Sequence, residues 1–222
     1  MRDKRLGILA LGETPRLDVI PTIRSRVGAA IEIVERGGLD GCSAGEIESL
    51  RALAGEESIE TRLRDGGSIE LARFRLVPRL VSAAESLFRD CSTVMLLCSG
   101  DFPDLTREFP RLVLPARILR GVLAGIVCDR VMGIIGPASD MTEAPEQWEA
   151  YCRRVECEAA SPYGPEKELE RAARNLASRG AEYILLDDMG FSEDHGALAR
   201  AASVLPLLCP SSLVAVILKE IL

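Results

Sequence analysis

The sequence predicts an α/β protein in which mostly parallel sheets are covered by helices. Short apolar runs of strand length alternate with longer helical patterns over most of the 222 residues, and this order is typical of parallel strands joined by helices. Apolar residues make up 47% of the chain, whereas aromatic residues make up only 4%. A large aliphatic share with few aromatic rings fits strands that are buried on both faces.

An internal repeat predicts that the chain is built from two similar halves. The segment 94–100 (VMLLCSG) aligns with 184–190 (ILLDDMG), so that the glycines coincide and Cys98 falls on Asp188. The repeat is short, and buried strands also resemble one another by chance. Because ligands bind beyond the carboxyl ends of parallel strands, two such halves predict a single ligand cleft between them.

Local signals predict the strands one by one. The run Leu6 to Leu11 is continuously apolar, as expected for a strand buried on both faces. The triplet Asp65-Gly66-Gly67 has the composition of a hairpin turn between two short strands. The predicted strands cover 6–11, 30–34, 58–62, 68–72, 93–97, 131–135, 183–186 and 204–207.

Capping signals predict where several helices begin. Thr14 is expected to cap a first helix that has Pro15 at its first position. Ser43 and Glu46 have the spacing of a capping box. Helices are predicted from Thr14 onward, over 43–54, 78–90, 117–128, 143–158 and 165–178, after Gly190, and from Ser211 or Ser212 to the C-terminus.

Charge and composition argue against several kinds of partner and site. The formal charge is −7 and there is no long basic run, which argues against nucleic acid and against an anionic membrane as partners. The charged start and the short apolar run 6–11 do not fit a signal peptide, so we expect a cytoplasmic protein. Seven irregularly spaced cysteines, none in a CxxC pair, and the single histidine His195 argue against a metal site.

Cys98 is the first candidate for chemistry. It follows an apolar strand and precedes Ser99 and Gly100. If a turn or a helix begins there, backbone N–H groups point at the sulfur and favour the thiolate. The alternative is a buried structural cysteine.

Asp188 is the second candidate. Asp187 and Asp188 directly follow an apolar strand, where carboxylates are costly unless they are solvated, paired or hydrogen-bonded. Asp188 is expected to face the substrate while Asp187 caps the following turn, and Met189 and Gly190 in this turn are expected to bind the substrate. The alternative is that both carboxylates only cap this loop.

The loop after the first strand is the third candidate. Gly12, Glu13 and Thr14 form a glycine turn at a predicted helix start, where free N–H groups bind anions. Arg16 could form a fork with a carboxylate, and Ser139 offers a matching hydroxyl in the other half. Such loops are common, so this signal alone is weak.

Several motifs together resemble the AroM family. They are GETPRLD near the N-terminus, ERGGLDG at 35–41, RLRDG at 62–66, LLCSGDFP at 96–103 and LLDDMGF at 185–191. Their order and spacing match over nearly the whole chain. The resemblance implies a wider kinship with the aspartate/glutamate racemase superfamily, whose members have two pseudo-symmetric α/β lobes with the active site between them.

The resemblance also implies boundaries and chemistry. A first lobe would span 1–114, with 208–222 returning to it, and a second lobe would span 115–207. Superfamily members use neither a metal nor pyridoxal phosphate, and two cysteines move protons at the carbon next to a carboxylate. Cys98 takes the place of the first cysteine, whereas Asp188 stands where the second is expected, which departs from the two-cysteine pattern.

This departure predicts unequal roles for the two residues. A nearby carboxylate disfavours a second negative charge, so the expected resting pair is ionised Asp188 with protonated Cys98. Asp188 would accept a proton from a small carboxylic acid and Cys98 would donate one, as suits a one-way isomerisation, tautomerisation or decarboxylation. The alternative is a non-catalytic carboxylate-binding or regulatory protein. No cofactor is expected, and a homodimer is the default assembly.

Overall fold

The computed structural model describes residues 4–126, 129–142 and 144–222. Contacts between Cα atoms divide the described chain into two compact units. The first contains residues 4–17 and 28–114 together with Leu222, and the second contains 18–27 and the described part of 115–221. Each unit carries its own parallel sheet, so the predicted α/β class is confirmed.

The first unit is built on a three-stranded parallel sheet in the order β2-β1-β5. Its helix α3 packs across this sheet and buries Leu76, Leu80 and Leu87 against it. A separate antiparallel hairpin, β3-β4, has the predicted strand bounds. The elements are β1 Arg5–Ala10, β2 Glu32–Gly37, α2 Ala44–Ser49, β3 Ser58–Arg62, β4 Ser68–Ala72, α3 Arg73–Asp90, β5 Thr93–Leu97 and α4 Pro103–Glu108.

The second unit is built on a four-stranded parallel sheet in the order β7-β6-β8-β9. Alternate residues of β8 point to opposite faces, so Leu185 joins a cluster with Trp148 while Leu186 joins one under Leu176. The elements are α1 Ile20–Val27, α5 Pro115–Ile126, β6 Val131–Gly136, α6 Ala144–Trp148, β7 Arg154–Ala159, α7 Glu166–Ser178, β8 Tyr183–Leu186, α8 Glu193–Ser203, β9 Leu207–Leu208 and α9 Pro210–Ile221.

The two sheets share one topology. In each sheet, the strand that comes first along the chain lies between the strands that come second and third. The resulting order is β2-β1-β5 in one unit and β7-β6-β8 in the other. Strands β5 and β8 are the two segments that the internal repeat pairs. Their carboxyl ends therefore occupy corresponding places beside a central strand.

The helix predicted over 143–158 is wrong. The segment instead forms the short helix α6, a single 3₁₀ turn, and the edge strand β7. Arg154 and Arg179 neutralise the two carboxylates of Glu156 and Glu158 that β7 carries. Those ion pairs stabilise a charged strand whose composition alone favours a helix. Glu143, and Cys128 at the end of another predicted helix, lie outside the described residues.

Several boundaries also differ from the predictions. The first helix begins at Ile20 and not at Thr14, because side chains described below hold the preceding loop in a non-helical conformation. Helix α3 begins at Arg73 and not at Pro78. Val204 is the left-handed C-cap of α8, with a φ of 60°, so the last strand begins only at Leu207.

The final helix belongs to the second unit. Helix α9 packs on α1 and on α5, whereas the sequence predicted that 208–222 would return to the first lobe. Because α1 packs on α9, residues 18–27 also belong to the second unit. Within the described residues, no helix is both long and apolar enough to cross a membrane.

Candidate functional site

Cys98 lies directly beyond the carboxyl end of β5 and is partly exposed. The backbone N–H of Gly100 donates to its Sγ atom over 3.3 Å. The next helix begins only at Pro103, so a turn rather than a helix start supplies this donor. Ser99 and Gly100 are also partly exposed. Of the two predicted arrangements, a turn or a helix start after Cys98, the structure has the turn, with a backbone N–H group directed at the sulfur.

Asp40 fixes the loop that follows β1. Its Oδ1 accepts the backbone N–H of Thr14 over 2.8 Å, and its Oδ2 accepts the Thr14 hydroxyl over 2.6 Å and the N–H of Gly37 over 2.7 Å. The prediction that Thr14 offers a free N–H group to an anion is therefore wrong, because a carboxylate of the same unit already occupies both of its donors.

Two further carboxylates brace the same loop. The N–H of Arg16 donates to Glu35 Oε2 over 2.8 Å. The Oε2 atom of Glu13 accepts the N–H of Arg64 over 2.8 Å, and the guanidinium of Arg64 donates to the carbonyl of Thr14. Glu13 thus ties the loop to the β3-β4 hairpin, which is a different role from the substrate contact that the sequence predicted. Arg16 itself is buried.

Close backbone approach explains the glycines of this region. A β-carbon at Gly12 would lie 2.3 Å from the carbonyl oxygen of Arg62, and one at Gly37 would lie 2.1 Å from the carbonyl oxygen of Gly12. Contacts this short are not tolerated between a β-carbon and a backbone oxygen. The motifs GETP and ERGG therefore mark a packed crossing of strand ends.

Asp188 lies beyond the carboxyl end of β8 and is partly exposed. The N–H of Gly190 donates to its Oδ1 over 2.5 Å, and its own N–H donates to the carbonyl of Leu186. Asp188 is thus the residue that caps the turn, the role that the sequence predicted for Asp187. Met189 is 3% exposed, so its side chain is a packing contact and the predicted substrate contact through it is wrong for this conformation.

Asp187 is buried, and its environment is strongly unfavourable to charge. Its Oδ2 accepts the indole N–H of Trp148 over 2.8 Å, while its Oδ1 has no hydrogen-bond partner among the described residues. Burial raises the pKa of Asp187 to about 7; the Trp148 hydrogen bond lowers the pKa and the charges of Asp188 and Asp140 raise it. The side chain is therefore poised to change its protonation state near neutral pH.

The remaining predicted residue, Ser139, is exposed in the loop after β6. Its hydroxyl donates to Asp140 Oδ1 over 2.8 Å. Within the part of the chain that the structure describes, no cluster of three His, Cys, Asp or Glu side chains has the arrangement to hold a metal ion.

The sequence did not indicate three residues that shape these loops. Asp40 lies within the ERGGLDG motif, which was the only signal for it. Nothing in the local sequence around Trp148 indicates its hydrogen bond to Asp187. Tyr163, in the loop after β7, places its hydroxyl oxygen 2.5 Å from where a β-carbon of Gly190 would be, and nothing in the spacing of the sequence pairs these two residues.

Solved structures with the same fold are racemases, isomerases and a decarboxylase. Glutamate racemase from Aquifex pyrophilus is 12% identical, with a TM-score of 0.57 over 98% of this chain and 84% of that one. An arylmalonate decarboxylase is 15% identical, with a TM-score of 0.60 over 97% and 92%. A maleate cis–trans isomerase mutant from Nocardia farcinica, which carries a covalent succinylcysteine intermediate, is 10% identical, with a TM-score of 0.60 over 98% and 93%.

These likenesses confirm the racemase-like fold that the sequence predicted. Among functionally curated proteins, none matches the sequence. The family model described as AroM protein matches residues 6–222, which is nearly the whole chain and includes all the motifs that carried the resemblance. The chain is therefore a member of the AroM family.

Proposed function

We propose that the protein is a cofactor-independent acid–base enzyme of the isomerase, racemase or decarboxylase type, acting on a small carboxylic acid. The observation that carries the proposal is the corresponding position of Cys98 and Asp188, each partly exposed beyond the end of the strand that flanks the centre of its sheet. Ligands of parallel α/β sheets bind at these ends.

The two side chains suit opposite halves of a proton transfer. The Asp188 carboxylate is oriented by the Gly190 N–H at its Oδ1 atom, and an oriented carboxylate can accept a proton from the carbon next to a substrate carboxylate. The Cys98 thiol gives a proton to the resulting carbanion and recovers it from solvent. In a decarboxylation, carbon dioxide leaves first and the thiol alone completes the reaction.

The solved structures with this fold support the class of reaction. Their names include racemisation, cis–trans isomerisation and decarboxylation of small acids. The succinylcysteine intermediate in the maleate isomerase is a bond between a cysteine and a substrate in that protein. This chain differs by presenting one thiol and one carboxylate, and this difference favours a reaction with one direction.

Isotope exchange tests the proposal across a panel of candidate substrates. The protein is incubated in D₂O with 2-substituted mono- and dicarboxylic acids, and NMR follows loss of the hydrogen on the carbon next to the carboxylate. We expect Cys98→Ala and Asp188→Asn to reduce turnover by about 10²–10⁴-fold, and Cys42→Ala, another partly exposed cysteine of the same unit, to leave it unchanged. Unchanged turnover in both variants would falsify the assignment.

A non-catalytic carboxylate-binding protein is the second candidate. The observation in its favour is that Asp188 caps its own turn, a role that needs no chemistry. Thermal-shift measurements with malonate and succinate separate the two. Stabilisation by an acid without isotope exchange supports the binding protein, whereas exchange that depends on Asp188 supports the enzyme.

The cellular location and the assembly are proposals as well. We keep the cytoplasmic location and the homodimer that the sequence predicted, with a small carboxylate rather than nucleic acid or a membrane as the partner. Light scattering over a range of protein concentrations tests the dimer.

A further inference from the structure

Gly190 lies under two oxygen atoms that come from different loops. A β-carbon at this position would be 2.5 Å from the hydroxyl oxygen of Tyr163, 2.9 Å from Asp188 Oδ1 and 3.0 Å from the Cγ atom of Pro162. The φ angle of Gly190 is not positive, so the space above it, rather than its backbone conformation, requires glycine. The absent side chain is what lets the phenol approach the carboxylate.

The sheet topology explains how this approach arises. Tyr163 follows β7 and Asp188 follows β8, and the two strands flank β6. Strand β6 ends in Gly136, where an added β-carbon would lie 3.3 Å from the carbonyl oxygen of Asp187. The nearest atom to that β-carbon would be Cε of Met141 at 2.9 Å, so glycine at the end of the central strand leaves room for the Met141 side chain and the Asp187 backbone.

The Tyr163 backbone is held in a tight turn. Its N–H donates to the Ser161 hydroxyl oxygen over 3.2 Å, and the N–H of Gly164 donates to the Ser161 carbonyl over 3.1 Å. The turn then runs directly into α7 at Glu166. A tyrosine has few rotatable bonds, so a fixed backbone leaves its hydroxyl a small range of positions.

We propose that Tyr163 is a positioning residue for Asp188, whose carboxylate receives a hydrogen bond from the phenolic hydroxyl directly or through one water molecule. The two oxygens lie close to one point, within the reach of either arrangement. A phenol donates one hydrogen, and the ionised carboxylate is the acceptor beside it. The Gly190 N–H and the Tyr163 hydroxyl then both donate to the Asp188 carboxylate, which fixes its orientation and favours its ionised form.

This inference deepens the proposed function and rests on it for the catalytic consequence. A base that is held in one orientation meets the substrate carbon at a fixed angle, and small displacements of such groups cost large factors in rate. Loss of the hydroxyl is therefore expected to lower kcat more than it changes KM. The placement of the hydroxyl beside Asp188 does not itself require that the protein be an enzyme.

Carbon-13 NMR of the aspartate carboxyl groups tests the placement in the full chain without any substrate. The Asp188 signal is assigned from its loss in Asp188→Asn. We expect Tyr163→Phe to move the midpoint of the Asp188 titration upward by about 0.5–1 pH unit, since a donor to the charged form is lost. Tyr183→Phe, which removes a hydroxyl at the other end of β8, is the matched control and should leave the midpoint unchanged.

A second variant tests the same contact through stability. Gly190→Ala is expected to lower the melting temperature, and the addition of Tyr163→Phe should recover part of that loss because the nearest clashing atom is removed. An unmoved Asp188 midpoint in Tyr163→Phe, or no recovery in the double variant, overturns the inference. A moved midpoint in a protein that exchanges no isotope keeps this inference and overturns the proposed function.

Discussion

The two strand-end regions use carboxylates in different ways. In the first unit, Asp40, Glu35 and Glu13 accept hydrogen bonds from backbone N–H groups and brace a loop. In the second unit, Asp187 is buried with one oxygen unpartnered among the described residues, and Asp188 is partly exposed with a turn N–H on its Oδ1. The first region uses its carboxylates to hold backbone N–H groups in place, whereas the second holds Asp187 in buried surroundings that favour the neutral acid.

This difference separates a supporting loop from the groups proposed for the chemistry. The carboxylates that accept backbone N–H groups hold the loop after β1 in place, and none of them takes part in the proposed proton transfer. We infer that this loop is a rigid support and that the acid–base groups are Cys98 and Asp188, at the ends of β5 and β8.

The first prediction concerns the rigidity of the support. Gly37→Ala places a β-carbon 2.1 Å from a backbone oxygen and is expected to lower the free energy of unfolding by more than about 3 kcal/mol. Gly45→Ala, whose added β-carbon meets no described atom within 4 Å, should change it by less than about 1 kcal/mol. Urea denaturation measures both. Equal effects would mean that the crossing of strand ends is loose.

The second prediction removes the main brace. Asp40→Ala leaves the donors of Thr14 and Gly37 without their carboxylate, and we expect a loss of about 3 kcal/mol in the free energy of unfolding. Asp65→Ala removes a carboxylate that accepts one N–H in the exposed hairpin turn and should cost about 1 kcal/mol or less. A small effect of Asp40→Ala would contradict its role as the brace.

The third prediction concerns the pH dependence of the second region. Folding raises the pKa of Asp187 from 3.8 to about 7, so between these values the folded protein keeps a proton that the unfolded chain has lost. Asp187 therefore lowers the free energy of unfolding as pH rises through this window. The stability advantage of Asp187→Asn over the unsubstituted protein should grow by about 1.4 kcal/mol per pH unit inside this window and level off above it.

The control for this pH series is Ser203→Ala, because Ser203 is buried in the same unit and has no group that titrates near neutral pH. Its difference from the unsubstituted protein should stay nearly flat over the same pH range. A flat difference for Asp187→Asn as well would show that the buried carboxyl does not titrate in the folded state near neutral pH.

The fourth and smallest prediction compares cysteines of the two units. Burial raises the pKa of Cys157 to about 11, so little thiolate is present there at pH 8. Cys98 is partly exposed and accepts an N–H at its sulfur. We expect iodoacetamide to alkylate Cys98 at least about tenfold faster than Cys157, as measured by peptide mass spectrometry. Faster labelling of Cys157 would remove the case for a reactive Cys98.

The sequence predicted the elements whose signals are local. The strands of the β3-β4 hairpin have their predicted bounds, because strand propensity and a glycine turn act over only a few residues. The capping box of Ser43 and Glu46 is present for the same reason. The buried strands β5 and β8 were equally clear, since continuous apolar runs need no partner to identify them.

The sequence failed where distant residues decide the structure. Strand β7 carries charges that Arg179, the C-cap residue of α7, neutralises, and no local pattern shows that pairing. Thr14 has the features of an N-cap, yet Asp40 takes both of its donors. The contact of Tyr163 with the Asp188 loop likewise depends on the order of strands in the sheet.

The packing of α1 on α9 has a consequence for how the protein can be divided. The ribosome makes residues 18–27 long before it makes their helix partner, Pro210–Ile221. A single cut after Leu114 therefore gives an N-terminal fragment with an uncovered amphipathic helix and a C-terminal fragment that lacks one. Separate expression of the second unit calls for a circularly permuted gene in which 18–27 is joined behind α9.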